Sequence, residues 1–288
     1  MKRAANPRGA DHRFLWSARL RSSRPEFLPR SSRPLRRPRA LSLYAAAAFA
    51  FLYLPLMVLV AFSVNKSKFT VWEGFSLDWY RAVLYDADLA WATRNSVIIA
   101  IVSALVSTAI GTMAAYGLWK RKAPVLAGSM YLSLVTPEIV TGISLLAFFQ
   151  FIFRYLHFQL GLYTVILAHI AFSIAYVAIV VSARLRNMDP SLEEAALDLG
   201  AREWTAFFRI TLPNLLPGVI AAGLLALIIS FDDYVITSLV AGVDSETLPM
   251  VIYAMARRGV NPEINAISAM IIVVFGVLII ISEKVRSA

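Results

Sequence analysis

Three carboxylates stand deep within apolar runs of this 288-residue chain: Glu138 and the adjacent pair Asp232 and Asp233. A carboxylate in a bilayer is costly, so acids retained there mark a solute pathway or a partner helix. At about 1.5 Å per helical residue, Glu138 lies roughly 20 Å from the start of its run near Val125, and Asp233 roughly 24 Å from Pro217. Both then fall in the outer half of the membrane, at similar depth. On an unbroken helix Asp233 shares a stripe with Ser230 and Thr237, whereas Asp232 lines up with Ile228, Ile229 and Ile236. All three acids are candidates for the substrate pathway; Asp233 is the better pore candidate, while Asp232 either lines the pore or ties neighbouring helices together. Pro137 frees a carbonyl beside Glu138, which is tolerable where a helix lines a cavity. Hydrolytic chemistry fits less well. His169 and Ser173 have i, i+4 spacing, but without a second catalytic motif they read as a polar helix contact. Adjacent aspartates on one helix also lack the matched aspartate from a second span that an intramembrane aspartyl protease requires.

Composition dictates the elements that hold these groups. With 59% hydrophobic and 16% charged residues, the chain is more apolar than an ordinary soluble protein. Runs long enough to span occur at about 41–64, 95–119, 125–153, 162–183, 214–240 and 264–282, which predicts six helices. Their continuous apolarity excludes a barrel, whose strands would alternate. Lysines and arginines number 12 in residues 1–40, 3 at 120–122, 4 in 184–213 and 2 in the C-terminal tail, leaving 7 for the alternate loops. This bias places both termini and the 184–213 loop in the cytoplasm. The net charge of +10 is accordingly a topology signal, not a nucleic-acid footprint. Residues 1–40, rich in Arg, Pro and Ser, form a basic extension that cannot bury a core and is expected to be disordered; residues 41–288 form the membrane domain. The first run is too long for a signal-peptide core and reads as an uncleaved span. Residues 65–93 make an aromatic outer loop. Cysteine is absent, so no thiolate metal site or disulfide enters the argument. No Gly-Lys dipeptide occurs, so the phosphate-binding P-loop is missing and any ATP is hydrolysed by another chain.

The polar stretch Arg184 to Pro213 carries the second set of candidates. Ser191 and Glu194 have capping-box spacing, Pro190 precedes them, and Gly200 can adopt the left-handed conformation that ends a helix, which predicts a short helix over 192–199. Leu192, Ala195, Ala196 and Leu199 share one face of it; Trp204, Phe207 and Phe208 form a second apolar stripe before Pro213 halts the chain. The residues Glu194-Ala195-Ala196, Gly200, Ile210 and Leu212-Pro213 resemble the EAA loop of permease subunits in ATP-binding-cassette (ABC) importers. That resemblance implies a coupling element, these seven residues included, that docks into a cleft of a separate ATPase subunit.

Further segments sharpen the likeness. Thr136 to Leu146, Ser230 to Ile236, Leu248 to Tyr253 and Gly259 to Ala266 resemble the second permease subunit of putrescine/spermidine importers, from about residue 41 to the end. The resemblance implies an all-α membrane protein with the type I ABC importer permease (MetI-like) fold, working by alternating access in a bacterial inner membrane. It implies as partners a second homologous permease in a heterodimer, two ATPase subunits that use ATP and Mg, and an extracytoplasmic solute-binding protein. The chain itself is then no enzyme and holds no cofactor or metal. Acids in an otherwise apolar pore suit a polycation. Importers of ferric ion, sulfate or an opine are alternatives within the class, with the acids arguing against the anion. An ion-coupled secondary carrier is a different class, without need of the EAA-like loop, and a purely structural membrane scaffold is a third.

Overall fold

The first apolar run becomes α1 (Arg39–Ser63), and part of the aromatic loop after it folds into a short helix, α2 (Asp78–Tyr85). The Ser63 and Tyr80 hydroxyls share a 2.7 Å hydrogen bond, and Trp79 Nε1 donates to the Asn65 carbonyl at 2.9 Å, anchoring α2 to the end of α1. Asp86 accepts from the amides of Asp88 and Leu89 and so caps α3 (Ala87–Lys120). The expected third span is in fact two helices. Thr136 is extended (φ −67°, ψ 129°) and separates α4 (Pro124–Val135) from α5 (Glu138–Leu156), because Pro137 drives the residue before it out of the α region.

After α6 (Leu162–Leu185) the polar loop forms α7 (Ser191–Asp198), a single turn α8 (Glu203–Ala206) and a π-helical turn at Phe207–Thr211. Contrary to the sequence expectation, Pro213 does not halt the chain. Helical backbone runs through it, from the π turn at Phe207–Thr211 directly into α9 (Leu212–Asp232). The expected fifth span also breaks: Asp233 is extended (φ −67°, ψ 126°), and helix resumes as α10 (Val235–Val240). Two more helices follow, α11 (Leu248–Arg258) and α12 (Pro262–Ser287).

This computed structural model describes residues 39–68, 71–121, 123–156, 158–259 and 262–287; most of the expected basic extension 1–40 therefore lies outside the described residues. Among them the only extended pairing is an isolated bridge between Asn65 and Phe75. The chain forms two units divided within α1, between Tyr53 and Leu54. In the first, the described residues are helical and Phe49 stacks on Tyr53. The second contains everything from Leu54 onward. Five helices are long and apolar enough to cross a bilayer among the described residues: Leu41–Ser63, α3, α5, α6 and the continuous Glu203–Asp232. The sixth expected position is held by α12, 26 residues long, whose described apolar stretch is Pro262–Val277.

The core of the second unit is a seam of small residues. Ala104 and Ala115 of α3, Ala175 and Ala178 of α6, and Ala222 and Ala226 of α9 are all buried together. Lipid supplies no hydrophobic drive between helices, so close backbone approach and dispersion must hold them, which small side chains permit. The same logic seats α10 on α5: a Cβ added at Gly142 would stand 2.6 Å from Leu239 Cδ1. The two half-helices that begin at the breaks thus pack directly against each other.

Candidate functional site: a cavity at two helix breaks and a polar node beneath the loop

Both helix breaks open onto one cavity of about 360 Å³, lined by Glu138, Asp232 and Asp233 with Thr136, Phe172, Tyr176 and Tyr234. All three sequence-predicted acids are therefore brought together, although in different settings. Glu138 is the first residue of α5 and exposed; the positive end of the helix dipole favours a carboxylate there. Asp232 is the last residue of α9, also exposed, with no hydrogen bond or ion pair among the described residues. Its position at the negative end of a helix dipole and beside a second aspartate is unfavourable unless a cation is present.

Asp233 differs. Its side chain is only 5% exposed. Oδ2 accepts from the Thr237 amide and the Thr237 hydroxyl, each at 2.8 Å, and Oδ1 from the Ile236 amide at 3.3 Å. The carboxylate thus satisfies donors that the restart of α10 would otherwise leave unpaired. His169 completes the network, with Nε2 3.0 Å from the Thr237 hydroxyl and 3.4 Å from Asp233 Oδ2, and Nδ1 2.7 Å from Ser230 Oγ. The Thr237 hydroxyl has one proton and directs it to Asp233, so it accepts from His169 Nε2–H, and Nδ1 takes the Ser230 proton. Because the helix ends at Asp232, the expected stripe of Ser230, Asp233 and Thr237 does not form along one helix; His169 assembles these three residues instead. The expected His169–Ser173 pair is not made, and Ser173 Oγ is buried without a hydrogen-bond partner. Ser230, His169 and Asp233 do form a serine–histidine–carboxylate set, but Ser230 is buried at 3% exposure and does not line the cavity, so the set reads as structural.

On the loop, Gly200 has φ +87°, and the amides of Gly200 and Ala201 bond back to the carbonyls of Leu197 and Ala196 at 2.9 and 3.0 Å, a Schellman closure that ends α7. The expected capping box is absent: Ser191 lies inside the helix, and Asp189 Oδ1 accepts from the Ser191 amide at 3.0 Å, which holds the Asp189 carboxyl below its ordinary value. Of the apolar face read from sequence, Leu192, Ala195 and Leu199 are exposed, Leu199 at 90%, while Ala196 is turned inward. Glu194, Gly200 and Pro213 are exposed; Ile210 and Leu212 are half-buried.

Glu193, not singled out by sequence reasoning, is the buried acid of this region at 1% exposure. Its Oε1 receives the Tyr116 hydroxyl and Lys120 Nζ, both at 2.6 Å, and Oε2 receives the Thr211 hydroxyl at 2.8 Å. Burial pushes this carboxyl up, but the bonds from Lys120, Tyr116 and Thr211 together outweigh it and hold it below the ordinary glutamate value. Two adjacent glutamates look alike in sequence; only the shared face of Glu193 and Ala196, at i, i+3, hinted which turns inward.

Residues 107–285, which contain the helix breaks, their cavity and the whole loop, match the model of the binding-protein-dependent transport system inner membrane component. The chain belongs to that family. This permease is 42% identical over 237 residues to the putrescine transport system permease protein PotI of Escherichia coli (strain K12), covering 80% of this chain and 84% of that one. It is 36% identical over 246 residues to the spermidine/putrescine transport system permease protein PotC of the same organism, covering 84% and 92%. Among solved structures, a bacterial ABC transporter involved in import of the acidic polysaccharide alginate superposes with TM-score 0.65 at 15% identity, over 86% of this permease and 97% of that chain. The MetNI methionine ABC transporter in inward-facing form superposes with TM-score 0.59 at 16% identity, over 70% and 98%. The fold is that of ABC importer permeases, as the sequence resemblance implied.

Proposed function

We propose that this permease passes polyamines into the cytoplasm, with Asp232 and Glu138 as the acids the solute meets and Asp233 as the acid that shapes the break. The observation that carries the reading is the unpaired, exposed Asp232 at the end of α9, facing a cavity that also holds Glu138 and the rings of Tyr176 and Tyr234. A primary ammonium group is stabilised by carboxylates and by aromatic faces, each ring contributing about 0.5–2 kcal/mol. Discontinuous helices at a cavity are also where transporters form solute sites. The names of the PotI and PotC relatives support putrescine and spermidine as the solute class.

Transport in this reading is driven from outside the chain. Two ATPase subunits using ATP and Mg meet the exposed face of α7, a second permease completes the pathway, and an extracytoplasmic binding protein delivers the solute. The charge distribution supports both termini and α7 being cytoplasmic. The test is uptake of labelled putrescine into vesicles containing the assembled transporter. Asp232→Asn and Glu138→Gln are expected to lower uptake while the complex still assembles and hydrolyses ATP. Normal uptake by both variants would remove these acids from the pathway.

A further inference from the structure

The loop beneath the spans contains a charge that stability alone does not call for. Replacing a buried ion pair by well-packed apolar side chains is often neutral or stabilising, whereas removing one partner is costly. The Glu193 carboxylate is nonetheless buried, and its three donors come from two places: Tyr116 and Lys120 at the end of α3, and Thr211, itself fully buried, at the end of the π turn that leads into α9. The surrounding rings restrict the donors. Tyr116 packs on buried Phe207 with centroids 4.6 Å apart, and Lys120 Nζ lies 5.8 Å from the Tyr116 ring and 5.7 Å from the Trp119 ring.

The connection of α7 to the spans follows from this. Its backbone packs on α8 and on the π turn, while long side chains meeting at Glu193 make its link to α3. The next residues outward on α7, Glu194 and Ala195, are exposed, as is Leu192. A push on that outer face therefore reaches α3 through one carboxylate, which also ties α7 to Thr211 beside its backbone packing on the π turn that runs into α9. The far end of α9 is Asp232, at the cavity.

We infer that Glu193 is the positioning residue that transmits movement of α7 to α3 and α9 during transport, by holding Lys120, Tyr116 and Thr211 on a single carboxylate. The inference rests on the reading that the exposed face of α7 meets an ATPase. A flexible contact would let α7 yield under load; three short bonds from two directions fix its register on both spans. Loss of the node leaves the outer face of α7 intact, so ATPase binding persists while the stroke is no longer passed on.

The experiment uses the complete transporter in proteoliposomes, measuring putrescine moved per ATP hydrolysed together with the thermal midpoint. Loss of the ion pair corresponds to about a tenfold change in a two-state population, and loss of the uncharged tyrosine donor to less. Glu193→Gln and Lys120→Gln are therefore expected to keep the ATPase subunits and basal hydrolysis but to lower putrescine per ATP by about tenfold. Tyr116→Phe, which removes one donor and keeps the ion pair, is expected to lower it less. Proportional loss of hydrolysis and uptake with an unchanged ratio overturns the inference in favour of a purely structural node, and so does a wild-type ratio in all three variants. Should Glu193→Gln fail to accumulate, an unchanged ratio in Tyr116→Phe overturns it equally. Failure of the docking reading shows elsewhere, as undiminished ATPase binding by Leu199→Asp.

Discussion

Asp233→Asn alters almost no volume yet removes the charge at the centre of the α9–α10 break. Oδ2 has the Thr237 amide and hydroxyl at 2.8 Å, and Oδ1 has the Ile236 amide at 3.3 Å. If the amide oxygen of Asn takes the Oδ2 place, its NH2 group faces the Ile236 amide, donor against donor. One backbone bond is lost and the remaining two become neutral. Charge-assisted bonds contribute about 1.5–3 kcal/mol each and neutral ones about 0.5–1.5. Weakening two bonds and losing one long one therefore costs about 2–3 kcal/mol. At about 2–4 °C per kcal/mol for a chain of this size, the thermal midpoint falls by about 5–10 °C. Asp232 has no hydrogen bond among the described residues and sits at the unfavourable end of the α9 dipole, so Asp232→Asn is expected to leave the midpoint unchanged or raise it while lowering putrescine uptake. Fluorescence-detected size exclusion of the heated complex, run beside vesicle uptake, separates the two. An unchanged midpoint with lost uptake for Asp233→Asn, combined with a lowered midpoint for Asp232→Asn, would refute the division of roles.

The loop provides a second prediction: Gly200 has φ +87° with open space around it, so Gly200→Val adds no clash but carries a left-handed backbone cost of about 1–2 kcal/mol. It is expected to remain in the membrane and lose the ATPase subunits in a pull-down; retention at wild-type level counts against the coupling role. The Glu193 carboxyl is held below its ordinary value of 4.5, so its contribution is complete above that pH and fades as pH falls through the lower folded value. The difference in thermal midpoint between wild type and Glu193→Gln should accordingly stay constant from about pH 8 to pH 5 and shrink only below that range; a difference that vanished between pH 7 and 5 would contradict the bonding described here. Finally, reporter fusions after residues 122, 200 and 288 should all read cytoplasmic, and an external signal at 200 would invert the orientation and separate α7 from any ATPase.

Much of this protein is determined locally, and that part was legible without coordinates. Continuous apolar runs have to become helices in lipid because each backbone amide needs a partner within its own segment, and Gly200 had to end α7 because it takes positive φ without strain. The three acids were equally visible, since a charge within an apolar run stands out wherever the chain goes. Family membership followed from residue spacing along the loop and the breaks, which is likewise a linear property. What only the tertiary structure shows is the setting of each acid. Asp232 and Asp233 are neighbours of one type, and the sequence stripe favoured Asp233 for the pathway; the break at that residue reverses their settings, because His169 and Thr237, 64 and 4 positions away, meet only one of them. Glu193 and Glu194 diverge for the same reason, since Lys120 and Thr211 approach α7 from one side. The environment of a charge is a sum over neighbours distant in the chain, and no local pattern encodes which of two adjacent carboxylates those neighbours will reach.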